Sequence, residues 1–322
     1  MPELSVIFVN WNATDYMRAC LNSIYAQAGG IDFEIIVVDN ASPNGDVDGL
    51  KQEFPAIRLI KSSENIGFAG ANNLGYAQSS GDYLLFLNPD TEVIGSAIQR
   101  MLKRMRSLYR PGAVGCKLLN SDGSIQTSCI QRFPTILNQI LDIEALRIRW
   151  PGCRLWKIDA LFSTNEEPAE VEVISGACLM IRREVFEVVN QFSKDYFMYA
   201  EDVDLCFKVH QAGFKNYFIG EATVVHHGGG SSKQKSSDNW SAIAQREALQ
   251  LLCRKMYGPF YAWMFRMAMA LSAVVRLMLV FPVFLAETIS ARHVNPTWRK
   301  WAAVLRWSIG IESTNLTPNS KL

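Results

Sequence analysis

The run Tyr83-Leu84-Leu85-Phe86-Leu87, closed by Asn88-Pro89-Asp90, restricts the fold of this chain more than any other stretch. Five apolar residues follow one another without alternation. That is the pattern of a strand buried on both faces, as in a parallel sheet with helices above and below it. Pro89 has no N–H for a ladder and biases Asn88 towards an extended conformation, so the strand ends there. Asp90 then stands just past the carboxyl end of a central strand, where open α/β sheets bind their ligands.

Similar short apolar runs recur at Leu4–Val9, Phe33–Val38, Ile57–Ile60 and Ala113–Leu118. Helical patterns separate them over Tyr16–Ala28, up to Phe54, from the Asn65–Phe68 loop to Ser79, and over Gly95–Tyr109. Strands alternating with helices at short spacing predict an α/β fold, a doubly wound and mostly parallel sheet with helices on both faces. From Leu119 to Glu170 the alternation fails, punctuated by Pro134, Pro151 and Pro168, and this stretch reads as an insertion covering a site. Val171–Ile181 resumes as a strand carrying Ser175-Gly176. A short helix follows over Arg182–Val189, and Glu201 opens another that runs to Gln211. Asn216–Ile219 and Thr223–Val225 read as two strands, and Asp238 caps a helix to about Met256. The expected divisions are an α/β half over 1–118, a second half over 119–237, and a C-terminal helical region with a disordered tail over 238–322.

The 322 residues, 49% hydrophobic and 20% charged, suffice for a sizeable core and exclude a disordered chain. A net charge of +1 argues against a general nucleic-acid binder. The charge is nevertheless uneven: from Leu251 onward nine Lys and Arg face only Glu287 and Glu312, which suits an anionic membrane surface. Within this part Phe260–Leu285 is strongly apolar but holds Arg266, Arg276 and Pro282. A central arginine in a span costs at least about 2.5 kcal/mol. The favoured reading is an interfacial amphipathic helix or helical hairpin whose arginines reach lipid headgroups. A true span and a buried helix pair of a soluble core are the alternatives. The seven cysteines are scattered and never spaced C-x-x-C, so they read as reduced thiols of a cytosolic protein. Met1-Pro2-Glu3-Leu4 leads straight into a strand, so no signal peptide is expected.

Three acidic positions stand at strand or loop ends: Asp39, Asp90 and the pair Glu201-Asp202. Each alone is as readily a turn former or a helix cap. On one α/β frame, adjacent parallel strands would put Asp39 and Asp90 on the same sheet edge. There Asp39 can accept an N–H from a pyrimidine, and Asp90 can hold a divalent cation, Mg or Mn, that bridges a diphosphate. The small residues of Asn65–Asn73 admit a nucleotide close to a helix N-terminus or, equally, pack a helix tightly on the sheet. Glu201-Asp202 at a helix start is either a cap or a general base. His226, opening a Gly-rich loop, is either structural or a metal ligand. No G-x-S-x-G elbow and no zinc-type spacing occurs.

Five motifs stand in a telling order: Val9-Asn10-Trp11-Asn12; Val37-Val38-Asp39-Asn40-Ala41-Ser42; Asn65-x-Gly67-Phe68-Ala69 through Asn73; Leu87-Asn88-Pro89-Asp90; and Glu201-Asp202-Val203-Asp204-Leu205 followed by His226-x-Gly228. As an ordered set, from about Leu4 to Ser231, they resemble the inverting glycosyltransferases of family 2, which have the nucleotide-sugar-binding GT-A fold. Asn88-Pro89-Asp90 and Tyr199–Leu205 are similar to the rhamnosyltransferase-like branch. The resemblance implies that Asp39 contacts the pyrimidine, while Asn12, Asn65, Gly67, Phe68 and Asn73 line the nucleotide pocket. Asn88 stands where the family carries the first carboxylate of its Asp-x-Asp motif. Asp90 and His226 become metal ligands for Mg or Mn, Asp202 the catalytic base supported by Glu201, and Ser175-Gly176 the passage for the acceptor. The implied donor is dTDP-rhamnose and the implied acceptor a lipid-diphosphate-linked sugar or glycan, at the cytoplasmic face of the bacterial inner membrane; a homodimer is left open. A UDP-hexose donor on the same fold and a non-catalytic membrane-attached assembly subunit are the alternatives. The second predicts a missing base or metal ligand, yet Asp202, Asp90 and His226 are all present. A nucleotidyltransferase would carry a basic phosphate-gripping loop where this chain has Asn10-Trp11-Asn12.

Overall fold

The computed structural model describes residues 1–27, 29–141, 149–150, 153, 155–156, 167–228, 239–289 and 296–314, and separates into two compact units. The first, Met1–Phe133 with Ile158–Phe197 and Glu201–Lys233, is organised on a nine-stranded sheet. Strands β1 (Leu4–Asn10), β2 (Phe33–Asp39), β3 (Arg58–Lys61) and β4 (Tyr83–Leu87) are mutually parallel in the order β3-β2-β1-β4. Every residue of β1 is buried, Ser5 and Asn10 included, as a strand covered on both faces requires. Helices α1 (Thr14–Gln27), α2 (Val47–Glu53) and α3 (Gly67–Ala77) make the crossovers. Gly75 lets α3 lie close on the sheet: a Cβ there would stand 2.6 Å from Ile7 Cγ2.

Beyond Asp90 the chain forms β5 (Thr91–Ile94), which leaves no clear mark in the sequence, then α4 (Ala97–Ser107) and β6 (Pro111–Leu119). A two-stranded ribbon pairs β7 (Ile130–Gln131) with a strand further along the chain. Helix α5 (Ile136–Ile140) belongs to the second unit. The stretch expected as one strand over Val171–Ile181 is three: β8 (Ala169–Val171), β9 (Val173–Ile174), which is the partner of β7, and β10 (Cys178–Arg182). A tight turn at Ser175, whose carbonyl accepts from Cys178 N, separates β9 from β10. After α6 (Arg183–Val188) and α7 (Glu201–Gln211), the two short strands expected near residue 220 are one strand, β11 (Lys215–His226), with a register shift between Ile219 and Thr223.

The full order is β3-β2-β1-β4-β10-β6-β11-β5, with β8 also on β11. Only β10, β5 and β8 run against the rest, so the sheet is mixed and mostly parallel. Strands from both sides of residue 118 interleave in this one sheet, since β10 pairs with both β4 and β6. Asp39 and Asp90 do lie at the same sheet edge, but not through adjacent strands: β1 stands between β2 and β4 and places Asn10 between them. Within the stretch 119–170 expected to cover the site, residues 142–148, 151–152, 154 and 157–166 lie outside the described residues, as do Asp238 and the tail from Asn315.

Among its described residues the second unit holds the helices α5, α8 (Trp240–Tyr257), α9 (Pro259–Ile289) and α10 (Pro296–Ser308). Gly258, at φ 92°, turns the chain from α8 into α9. The core of this unit gathers Ile243, Cys253, Phe265, Met269, Ala303 and Trp307. The hairpin alternative for Phe260–Leu285 gives way to one continuous helix of 31 residues that contains Pro282. By length and composition it can cross a membrane from Pro259 to Pro282, and only 22% of its most apolar window is buried, unlike a core helix.

Candidate active site

Three groups of side chains meet the carboxyl edge of the first unit's sheet. At the end of β1 and β2, Asn10 Nδ2 donates to Asp39 Oδ1 (2.8 Å) while Asn10 Oδ1 accepts from Ala13 N (3.2 Å). Asp39 is thereby held in place, 6% exposed, at the end of β2. Asn12 sits in a left-handed conformation (φ 54°); its N–H donates to Ser42 Oγ and its Oδ1 accepts from Asn44 N, which ties the loops after β1 and β2 together.

The Asn65–Asn73 segment is engaged mainly with protein. Asn65 Oδ1 accepts from Asn40 Nδ2 (2.9 Å) and Gly67 N (3.0 Å), closing the turn into α3. Gly67 has φ 75°, and a Cβ there would come within 2.5 Å of Phe197 O. Phe68 N donates to that same carbonyl, and the Phe68 ring meets Phe192 edge-on at 6.3 Å. Asn73, expected to line the nucleotide pocket, instead clamps the backbone of Phe192 in both directions: its Nδ2 donates to Phe192 O (2.8 Å) and its Oδ1 accepts from Phe192 N (3.1 Å). It is 6% exposed on the inner face of α3. This segment therefore anchors the chain that leads to Glu201.

The second group is centred on Asp90. Strand β5 starts one residue later and pairs antiparallel with β11 in a register that sets His226 opposite Thr91. The ladder brings His226 Nε2 to 3.3 Å from Asp90 Oδ1 and 3.3 Å from Asn88 Nδ2. On the other side of the ring, Nδ1 lies 2.7 Å from Gln126 Oε1. A carboxamide oxygen only accepts, and Gln126 Nε2 donates to Asn120 Oδ1, which fixes the amide orientation. His226 therefore carries its proton on Nδ1 when neutral and turns the Nε2 lone pair towards Asp90. Histidine ligands are commonly oriented in this way by a partner on the other nitrogen. His227 points elsewhere, to Ser121 Oγ (2.9 Å) and Glu92 Oε1 (2.8 Å). Among the described residues no group of three or more His, Cys, Asp and Glu gathers, and Asp90 and His226 stand as a pair.

The third group opens α7. Tyr199 and Ala200 both have positive φ (72° and 63°), an uncommon conformation for non-glycine residues. Asp202 Oδ2 then accepts from Gly176 N (2.9 Å) and its Oδ1 from Val203 N (2.8 Å). The Ser175–Ala177 turn that supplies Gly176 is joined to the end of β4, since Asn88 N donates to Ala177 O (2.9 Å). One short chain of hydrogen bonds thus links the strand end that carries Asn88 to the carboxylate of Asp202. Glu201 is 8% exposed, and its Oε2 has no hydrogen-bond partner among the described residues. Burial, and after it the charge of Asp202, push the Glu201 carboxyl up to about 8. Burial also raises Asp202, opposed by the N–H donors of Gly176 and Val203. Burial and the neighbouring charge thus favour the neutral form of Glu201, while two N–H donors favour the charged form of Asp202. Asp204 of the same motif is structural: it accepts from Ser193 Oγ and from Tyr196 OH.

The mixed, mostly parallel sheet flanked by helices has the GT-A architecture. Residues 5–189, more than half of the sequence, match the family model "Glycosyl transferase family 2", and the chain belongs to that family. It is 29% identical over 237 residues to the N-acetylglucosaminyl-diphospho-decaprenol L-rhamnosyltransferase of Mycobacterium tuberculosis, covering 70% of this chain and 76% of that one. It is 25% identical over 231 residues to the rhamnosyltransferase WbbL of Escherichia coli K12, covering 69% and 82%. Among solved structures, the mannosyltransferase PcManGT of Pyrobaculum calidifontis in complex with GDP-Man and Mn2+ matches 96% of this chain and 85% of its own, with a TM-score of 0.54 at 16% identity. GalNAc-T7 with UDP, GalNAc and Mn2+ has the same TM-score and identity over 70% of this chain but only 44% of its own length. At such identities the likeness is one of fold. The chain is thus a glycosyltransferase.

Proposed function

We propose that this chain is an inverting rhamnosyltransferase that moves L-rhamnose from dTDP-rhamnose to a lipid-diphosphate-linked acceptor at the cytoplasmic face of the bacterial inner membrane. The observation that carries the reading is the arrangement just described: β5–β11 pairing sets His226 on Asp90, and the Ser175–Ala177 turn ties Asp202 to the same strand end. The donor and acceptor are supported by the two rhamnosyltransferase relatives, one of which names a diphospho-decaprenol acceptor.

Asp39 receives the pyrimidine, with Asn12 shaping the adjoining loop. Asp202, ionised beside a protonated Glu201, takes the proton of the acceptor hydroxyl. The hydroxyl oxygen then bonds to the anomeric carbon as the bond from that carbon to the diphosphate oxygen breaks on the opposite face. The electron pair leaves with the nucleoside diphosphate, and the anomeric configuration inverts. Asp90 and His226 are the residues that would hold a divalent cation, which when bound supplies charge stabilisation to the departing diphosphate. The donor set fits: one hard carboxylate oxygen and one imidazole lone pair leave most positions to diphosphate oxygens and water. The imidazole nitrogen favours Mn2+ over Mg2+. Asn88 N–H groups face the same station and offer the diphosphate a neutral donor.

The test is a calorimetric donor screen with Mn2+ or Mg2+ against dTDP-rhamnose, UDP-glucose, UDP-galactose, UDP-N-acetylglucosamine and GDP-mannose. Selective binding of dTDP-rhamnose is expected. Binding of a UDP-sugar instead removes the rhamnosyl assignment and leaves the transferase; binding of none of them overturns the donor reading.

A further inference from the structure

Two arginines interrupt the apolar sequence of α9, and where they point decides what its outer face can meet. Arg266 Nε donates to Ser308 O (3.0 Å) and its NH2 group to Trp307 O (2.7 Å), with the guanidinium 5.4 Å from the centre of the Trp307 ring. Arg276 donates to Ile140 O (2.8 Å) and stacks 4.3 Å over Trp301. Both side chains thus satisfy carbonyls of their own unit and do not reach outward to lipid headgroups, contrary to the expectation from sequence. Ten residues apart, they lie on one side of the helix. Ala262, Phe265, Met269 and Ala273 are buried on that side, packed in the clusters that include Trp301, Val304 and Trp307 of α10.

The opposite side is uniform. From Phe260 to Leu285 every exposed described residue is apolar, among them Trp263, Met267, Leu271, Val275, Met278 and Leu279. Leu271 is 65% and Leu279 73% exposed. At about 1.5 Å per residue the stripe runs for roughly 37 Å, far more continuous apolar surface than single exposed side chains provide.

We propose that this arginine-free stripe is seated in the surface of an anionic bilayer, with α9 lying in the membrane plane. The proposal deepens the lipid-linked acceptor reading and rests on it only for its purpose. Charge selects lipid over a second copy of the chain. Exposed Arg254 and Lys255 close α8 just before the stripe, and exposed Arg299 and Lys300 lie in α10 just after it. Two copies joined through the stripe would bring bases against bases at both ends, whereas anionic headgroups complement them. Packing selects the plane over a crossing. Helices α8 and α10 share the inner side of α9 and carry Arg246, Glu247, Arg254, Lys255, Arg299, Lys300 and Arg306, which a crossing would draw into hydrocarbon. Arg266 and Arg276 then act as pins that hold the helix to its unit and keep charge off the lipid side.

The experiment uses the full chain. Its sedimentation with phosphatidylglycerol-containing vesicles is compared with phosphatidylcholine vesicles, for the native protein and for Leu271→Glu with Leu279→Glu, two exposed sites that leave the inner packing untouched. Expected are binding that depends on anionic lipid and at least tenfold weaker binding by the double variant, with dTDP-rhamnose calorimetry unchanged between the two. Spin labels on Met264→Cys, Leu271→Cys, Met278→Cys and Leu285→Cys, seven residues apart along the stripe, should report one common shallow depth. Absent vesicle binding, equal binding by the double variant, or a native dimer that the double variant abolishes each overturns the proposal. So does a depth that peaks at the two middle labels, which would mark a crossing helix. Failure of the donor screen alone leaves these lipid results standing, so the two readings fail separately.

Discussion

Glutamine in place of Glu201 separates the roles of the two carboxyls that open α7. Glu201 is 8% exposed, and its carboxyl is pushed from 4.5 up to about 8, first by burial and then by the charge of Asp202. At neutral pH the folded chain therefore keeps a proton at this position that the unfolded chain has released. Stability falls with rising pH wherever the folded state binds more protons. The contribution of Glu201 is thus intact below 4.5, declines as pH rises, and is lost above about 8. One pKa unit corresponds to about 1.4 kcal/mol, so between pH 5 and 8 the native chain loses about 3–4 kcal/mol through this group. The figure is an upper bound, because Asp202 titrates with it. A glutamine amide has the shape of the protonated carboxyl and does not titrate. Glu201→Gln should therefore become progressively more stable than the native chain from pH 5 to 8, at about 1 kcal/mol per pH unit. Urea denaturation of both proteins at half-unit pH steps measures this, the difference between the curves isolating Glu201 together with its coupling to Asp202. A flat difference refutes the reasoning, since Glu201 would then ionise as an ordinary surface carboxylate. Turnover gives a companion reading: if the native group is already neutral at pH 7, the variant keeps most of its activity there.

Asp202→Asn should retain the fold and donor binding but lose about 10²–10⁴-fold in turnover, the usual worth of a general base; near-native turnover would assign the base elsewhere. Gln126→Leu removes the acceptor that orients His226 and should weaken Mn2+ binding about 10–100-fold, read by electron paramagnetic resonance titration; Gln126→Glu, which keeps an acceptor, should restore most of it, and unchanged affinity in the leucine variant would remove Gln126 from the site. Asn73→Ala deletes two hydrogen bonds and leaves the N–H and C=O of Phe192 unpaired, for a loss of about 2–4 kcal/mol in urea denaturation. Donor affinity should stay constant, and a selective loss of donor affinity would return Asn73 to the nucleotide pocket.

The strands buried on both faces are legible because mostly apolar sequence survives there; Tyr83–Leu87 carries that mark undiluted and Leu4–Val9 with Ser5 as its one polar residue. Thr91–Ile94 carries none. It is short, includes Glu92, and follows a Pro-Asp pair that looks like a turn, while its partner strand lies far along the chain. That unread strand sets His226 on Asp90, so the sequence names both residues but not the reason they meet. Gln126 is invisible for a related cause: it falls where apolar periodicity stops, and an exposed-looking glutamine announces nothing about the tautomer of a histidine a hundred residues away. Asn73 shows the opposite limit. A polar residue in a Gly-rich motif suggests ligand contact, but only the fold reveals that Phe192 already occupies its donor and acceptor. The arginines of α9 were legible as lying on one side and illegible as to which side, because hydropathy cannot see the carbonyls of Ile140, Trp307 and Ser308.

The register shift in β11 has a consequence for the pair His226-His227. Gly220, Glu221 and Ala222 lie between the residues that pair with Cys116 and Lys117, so β6 has no counterparts for them. Side chains along a strand alternate faces, so the number of residues in that bulge acts as a reading frame for everything after it. With the present count the frame ends on His226 against Asp90. One residue fewer would slide Thr223–His227 along β5 by a single step and present the other imidazole. Two histidines in tandem mean that such a frameshift in the sheet would still deliver a ring nitrogen to Asp90.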